Sequence, residues 1–121
     1  MNKYRNTDKD IHSRMYHFIV DCFREVVKKI PNTVANTRII DQISGSLTSM
    51  GANDQEADAA LTRKDFIAKY TIVRKEAKET EYWLSLIRDV GLISSEVISP
   101  HVDECVEIRK IVSSIMENSR R

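Results

Sequence analysis

Between Thr62 and Gly91 the chain carries no glycine and no proline, and apolar residues recur there at three- and four-residue steps. Phe66, Tyr70, Val73, Ala77, Thr80, Leu84 and Ile87 form one heptad seam. That period belongs to a helix with one buried stripe. Thr62 followed by Asp65 reads as a capping box at its start, and Gly91 is well placed as its C-terminal stop. Only three glycines and two prolines punctuate all 121 residues. Such scarcity favours long helices over a turn-rich β fold, and no strand pattern competes.

Three more helices follow from the same rules. Ile11, Met15, Phe18, Cys22 and Val26, widened by Ile19, Phe23, Val27 and Ile30, predict a helix from about Asp10 to Ile30, stopped by Pro31. The next starts near Asn36 or Thr37 and carries Ile39, Ile43, Leu47, Met50 and Ala57 on one side. The last opens either at Ser99-Pro100 or a turn earlier at Ser94-Ser95-Glu96 with Pro100 as a kink; Cys105, Ile108, Val112 and Ile115 mark its buried side. Short connections imply antiparallel neighbours, hence an all-α, antiparallel up-down four-helix bundle. We read residues 1–121 as a single domain, with 1–9 a polar N-terminal arm and 118–121 a basic C-terminal tail. The arm lacks an apolar core, so it is no signal peptide, and no segment is apolar enough to span a bilayer; the expected location is cytoplasmic. Cys22 and Cys105 fall in apolar stripes, where free buried thiols are expected rather than a disulfide.

The third helix has a second seam at the same spacing: Ile72, Glu76, Glu79, Trp83, Leu86 and Val90. Either this band wraps around the core, or it packs against another subunit. The second reading is favoured, because large apolar side chains left wet cost about 1.5–3 kcal/mol each; Ile72, Trp83, Leu86 and Val90 are its oligomer contacts. The second helix carries an unusual stretch, SGSLTSMGANDQEADAA from Ser44 to Ala60. Gly45 and Gly51 each cost about 1 kcal/mol in a helix interior. Close approach by another helix or a local break near Met50-Gly51 would compensate, and the surrounding alanines favour close approach. Ser46, Ser49, Asn53 and Glu56 follow heptad spacing beside the stripe, and Ala60 continues it. Of these, Ser49, Asn53 and Glu56 are candidates for a polar network with Glu76 and Glu79, with Ser49, Asn53 or Arg38 supplying donors to the buried carboxylates; solvated helix positions are the alternative.

Metal and catalytic patterns are weak. Asp54, Glu56, Asp58 and Asp65 imitate a calcium loop, but Ala59 stands where the turn needs glycine. None of His12, His17 or His101 sits three residues after a glutamate, as di-iron bundles require, and His101 with Cys105 is two ligands short of a zinc site. No phosphate loop, nucleophile elbow or triad spacing is visible. Glu76 with Glu79 could do acid–base work only beside a substrate pocket, of which there is no sign. We therefore expect no enzyme, no catalytic residue, no cofactor and no metal.

The formal net charge of +1 advertises no global field for nucleic acid or membrane, so any such site is local. Arg63, Lys64, Arg74, Lys75 and Lys78 project to one side of the third helix, with Arg120 and Arg121 as a basic tail. Clustered cations are what phosphate binding needs, which makes this a candidate nucleic-acid face. A solvated face laced with ion pairs, Lys75 with Glu79 among them, is the competing reading.

The segments SMGANDQEADAALTRKDFIAKY and RKEAKETEYWLSLIRDVGLIS carry a family likeness, sharpest at Ser49-x-Gly51-x-Asn53-x-x-Glu56-Ala57, Lys64-Asp65-Phe66-Ile67 and Glu76-Ala77-x-Glu79-Thr80-Glu81-Tyr82-Trp83-Leu84. From about Tyr16 to Met116 the chain resembles the four-helix-bundle proteins encoded in 23S rRNA intervening sequences, also called S23 ribosomal proteins. The resemblance implies a homo-oligomer, commonly a five-membered ring, with no catalytic activity or cofactor. It also implies kinship with the accessory variability proteins of diversity-generating retroelements, basic rings that bind nucleic acid and a reverse transcriptase; this chain departs from them in its near-neutral charge. The expected partners are thus other copies of the chain and RNA or a nucleic-acid-processing protein. An oligomeric protein-interaction scaffold without nucleic-acid contact is the alternative.

Overall fold

Short polar side chains at the ends of apolar stripes cap the first three of the four long helices. The computed structural model describes residues 2–5 and 10–120. Asp10 caps α1 (Ile11–Glu25), its carboxylate accepting the Ser13 N–H at 3.0 Å. The chain then tightens into a 3-10 turn over Val27–Lys29 and turns extended at Ile30, ahead of Pro31. The α-helix expected to reach Ile30 therefore ends at Glu25, yet Val26, Val27 and Ile30 are still buried. The apolar pattern outlasts the α geometry because the tighter turn keeps the same side facing inward.

α2 (Val34–Asp58) begins earlier than the Asn36 or Thr37 predicted. Thr33 is the cap, its hydroxyl accepting the Asn36 N–H at 3.3 Å, and the Asn36 amide donates to the Pro31 carbonyl at 3.0 Å. Thr62 caps α3 (Arg63–Asp89) as expected, taking the Asp65 N–H at 3.1 Å. At its far end Gly91 sits at φ +79°, with its N–H on the Arg88 carbonyl and that of Leu92 on the Ile87 carbonyl. This paired closure needs a left-handed residue, which only glycine adopts without strain. α4 (Ser95–Ser119) takes the earlier of its two expected starts. Ser94 accepts the Val97 and Ile98 N–H groups through its carbonyl, and burial of Ile98 holds that first turn against the core. Pro100 thus lies within the helix and removes one donor from it. α4 also absorbs Asn118 and Ser119 of the expected tail, and Lys3–Arg5 of the expected arm form a 3-10 turn; Met1, Asn6 to Lys9 and Arg121 lie outside the described residues.

α2 packs on α3, α3 on α4, and α1 lies against α4 and α2, giving a four-helix bundle with no strand among the described residues. All seven residues of the first α3 seam are buried. Opposite them, Ile43, Leu47, Met50 and Ala57 of α2 and Ile98, Cys105, Ile108, Val112 and Ile115 of α4 close the core. Both cysteines are free and buried. Burial pushes both thiols up, Cys105 to about 12, and the Cys105 S–H donates to the Ala77 carbonyl at 3.1 Å. Thiols in that state are poor nucleophiles.

α2 runs unbroken through both glycines of the Ser44 to Ala60 stretch and ends at Asp58, two residues short of Ala60. Close approach explains one of the glycines. A Cβ on Gly51 would lie 3.0 Å from Ile19 Cδ1 of α1, whereas one on Gly45 would meet nothing within 4 Å. Gly45 is exposed, so the close packing expected of it is not provided within the chain.

Candidate nucleic-acid interface

At 100° per residue, Thr71, Arg74, Lys75 and Lys78 fall within about 100° of one another on α3, well away from its core seam. They line a surface groove of about 330 Å³ together with Arg109 of α4, a residue the sequence reading did not select. Glu81 is the carboxylate beside this cluster. Its Oε2 lies 3.2 Å from an Arg109 terminal nitrogen and 4.0 Å from Lys78 Nζ. The Arg109 contact is one of charge rather than an aligned hydrogen bond: Arg109 Nε and Glu81 Oε2 are both buried without a hydrogen-bond partner. Glu81 is the one carboxylate within 4.0 Å of these four cations among the described residues, and Glu76 lies near enough to Lys75 to feel its charge. Arg74 and Lys75 make no ion pair among the described residues.

The structure divides the five predicted cations. Arg74, Lys75 and Lys78 come together. Lys64 is exposed about 15 Å back along the helix. Arg63, beside it, leans over the Tyr4 ring, 5.9 Å from its centroid. The expected Lys75–Glu79 pair is not formed; Glu79 instead accepts the Trp83 indole N–H at 3.3 Å. A lysine on an exposed face gains little from such a pair, while the indole N–H would otherwise be half-buried and unmatched.

The second seam is graded rather than uniform. Trp83 packs against the rim of the core with Tyr82 edge-on to it, ring centroids 4.9 Å apart. Leu86 is half-buried, whereas Ile72 is exposed and Val90 is 57% exposed. The proposed polar network is likewise divided. Asn53 donates to the Ser49 carbonyl at 2.9 Å and its hydroxyl at 3.3 Å, and Glu56 pairs with Lys69 at 3.1 Å. Glu76 and Glu79 form no hydrogen bond with Ser49, Asn53 or Arg38 among the described residues. Burial, then the nearby Glu79 charge, pushes the Glu76 carboxyl up.

A different polar network fills the interior. Asp54, 2% exposed, accepts the Tyr70 hydroxyl at 2.7 Å and lies 2.5 Å from His12 Nδ1. Gln55 stands 3.1 Å from the other ring nitrogen, and an apolar cleft of about 250 Å³ between α1 and α2 opens beside them. With the proton on Nδ1, His12 donates to Asp54 and accepts from Gln55. A second buried link joins the Ser46 and Thr80 hydroxyls at 2.8 Å. Asp54 was weighed only as a mimic of a calcium ligand; it sits within α2 and faces inward. One signal could have found it: Asp54 continues the Ile43, Leu47, Met50, Ala57 stripe at helical spacing. The His101 and Cys105 side chains go separate ways, His101 to Glu25 at 2.7 Å and Cys105 to Ala77.

These features define an all-helical bundle with a hydrogen-bonded polar cluster at Asp54 and a cationic outer groove. The chain belongs to the 23S rRNA-intervening sequence protein family, whose model matches residues 7–114. Among solved structures it is similar to a protein of unknown function from the S23 ribosomal protein family of Bacteroides thetaiotaomicron. The two share 36% identity over 88% of this chain and 95% of that one, with a TM-score of 0.80. No functionally curated protein matches. Among the described residues, no helix is long and apolar enough to cross a membrane, and no cluster of three or more His, Cys, Asp or Glu is arranged to hold a metal.

Proposed function

We propose that this protein is a non-enzymatic, homo-oligomeric, cytoplasmic binding module that engages RNA or a nucleoprotein through the cations of α3. One observation carries the reading. Of Arg63, Lys64, Arg74, Lys75 and Lys78, only Lys78 has a carboxylate within 4.0 Å among the described residues. An ion-paired solvated face would have consumed these charges; an unpaired one keeps them for phosphate groups. Self-association, in a five-membered ring on the family resemblance, is supported by the exposure of Ile72 and Val90 beside Trp83 and Leu86. Repeating the face around a ring would multiply its contacts with one polyanion.

A salt series with a structured RNA and a random single strand tests the binding. Affinity should fall steeply with salt, in proportion to the phosphates neutralised. Flat, weak binding even at low salt would favour the scaffold reading. Light scattering tests the assembly: Trp83→Ala should lower the solution mass, and an unchanged mass would remove the second seam from the interface.

A further inference from the structure

The cationic groove has an aromatic neighbour that the fold does not use. Tyr82 follows Lys78 by four residues, about 6 Å along α3 and on the same side of the helix. The residue is 59% exposed and its hydroxyl has no hydrogen-bond partner among the described residues. Trp83 braces it from the core side, at an interplanar angle of 78°. The ring is therefore held in place while much of it stays open to solvent. No cation of the groove is drawn over it, whereas Arg63 and Lys3 both lie over the Tyr4 ring at the other end of α3.

We infer that this face takes a single-stranded nucleic acid, with a phosphodiester group held by Arg74, Lys75, Lys78 and Arg109 and an adjacent unpaired base stacked on Tyr82. The inference rests on the nucleic-acid reading above and narrows its substrate class. Cations alone accept any polyanion, duplex or single strand. A solvent-facing ring beside them adds a term that only an unpaired base collects, because the bases of a duplex are already stacked on one another. Stacking tolerates every base, so the preference is for strandedness rather than sequence. Glu81 holds the Arg109 guanidinium at the groove from one side. Its Nε is buried, so a phosphate oxygen would meet the terminal nitrogens of Arg109 and not Nε. Thr71 offers less, since its hydroxyl donates to the Ile67 carbonyl at 2.8 Å.

The experiment measures fluorescence anisotropy of labelled oligouridine and of an RNA duplex with wild type, Tyr82→Phe, Tyr82→Ala and Arg109→Gln, with light scattering on each variant. Wild type should prefer the single strand. Tyr82→Ala should weaken single-strand binding about tenfold and leave duplex binding and the salt slope unchanged. Tyr82→Phe, which keeps the ring, should retain the preference. Arg109→Gln should make the salt slope shallower by about 0.7 on the single strand. Equal binding of both nucleic acids, untouched by Tyr82→Ala, would overturn the inference and leave the nucleic-acid reading standing. Binding of neither at low salt would overturn that reading itself. A lower solution mass for Tyr82→Ala would assign the ring to subunit contact and likewise overturn the inference.

Discussion

The two ends of the polar spectrum lie in different parts of this bundle. Where α1 meets α2, a buried carboxylate, an imidazole and a phenol are tied together, with Asp54 between His12 and Tyr70. On the outer side of α1, Arg14 makes two hydrogen bonds of 2.7 Å to Glu104 of α4, which raise its pKa. On the α3–α4 face, Arg74 and Lys75 are unpaired, and Arg109 shares a single carboxylate with Lys78. The same residue chemistry does opposite work in the two places. Buried polar groups must be matched or they cost folding free energy, so the interior network belongs to stability. Exposed charges cost the fold little whether paired or not, so an unpaired cluster is free for a ligand.

If that contrast holds, the largest effect comes from breaking the interior. Asp54→Ala should lose about 2–4 kcal/mol in urea unfolding, because it removes the buried carboxylate that accepts from Tyr70 and contacts His12. A loss within about 0.5 kcal/mol, the usual size for surface changes, would erase the distinction between the two regions. The glycines of α2 sharpen it on a smaller scale. Gly45→Ala should raise stability by about 0.5–1 kcal/mol, since it meets open space in a helix interior. Gly51→Ala should gain less or lose, because Ile19 must move; thermal melts of the two variants would rank them. The smallest effect concerns Glu76, half-buried with its carboxyl raised by burial and Glu79. A folded-state value above the unfolded one means the group favours folding when protonated. That contribution is lost as pH rises through the folded value. Glu76→Gln should therefore gain on wild type as pH rises out of the ordinary carboxylate range, and parallel stability–pH curves would contradict this.

The parts legible from sequence are those governed by local period and punctuation. The α3 seam from Phe66 to Ile87, the Thr62 cap and the Gly91 stop are all properties of one short stretch, and all seven seam residues are buried. Helix starts were less legible at Asn36 and Ser99: Thr33, three residues upstream of Asn36, provides the cap of α2, and burial of Ile98 draws the start of α4 back to Ser94, whose side chain makes no capping hydrogen bond. The His12–Asp54–Tyr70 network was not legible, as its members come from three helices and meet only through packing. Arg109 escaped for the same reason. It sits beside the buried stripe of α4, and only the antiparallel neighbour brings it to Arg74 and Lys78. Periodicity reports which face of a helix turns inward; it is silent about which charges from two helices end in one groove.

The most direct test neutralises that groove and reads fold and binding in one protein. In Arg74→Gln/Lys75→Gln/Lys78→Gln, a variant whose urea unfolding should stay close to wild type, the measurement is affinity for a single-stranded RNA at moderate salt. The groove account predicts a loss of tenfold or more, with about three fewer phosphate contacts in the salt slope. Unchanged affinity and slope in this folded variant would show that the unpaired cations of α3 are not where the ligand binds.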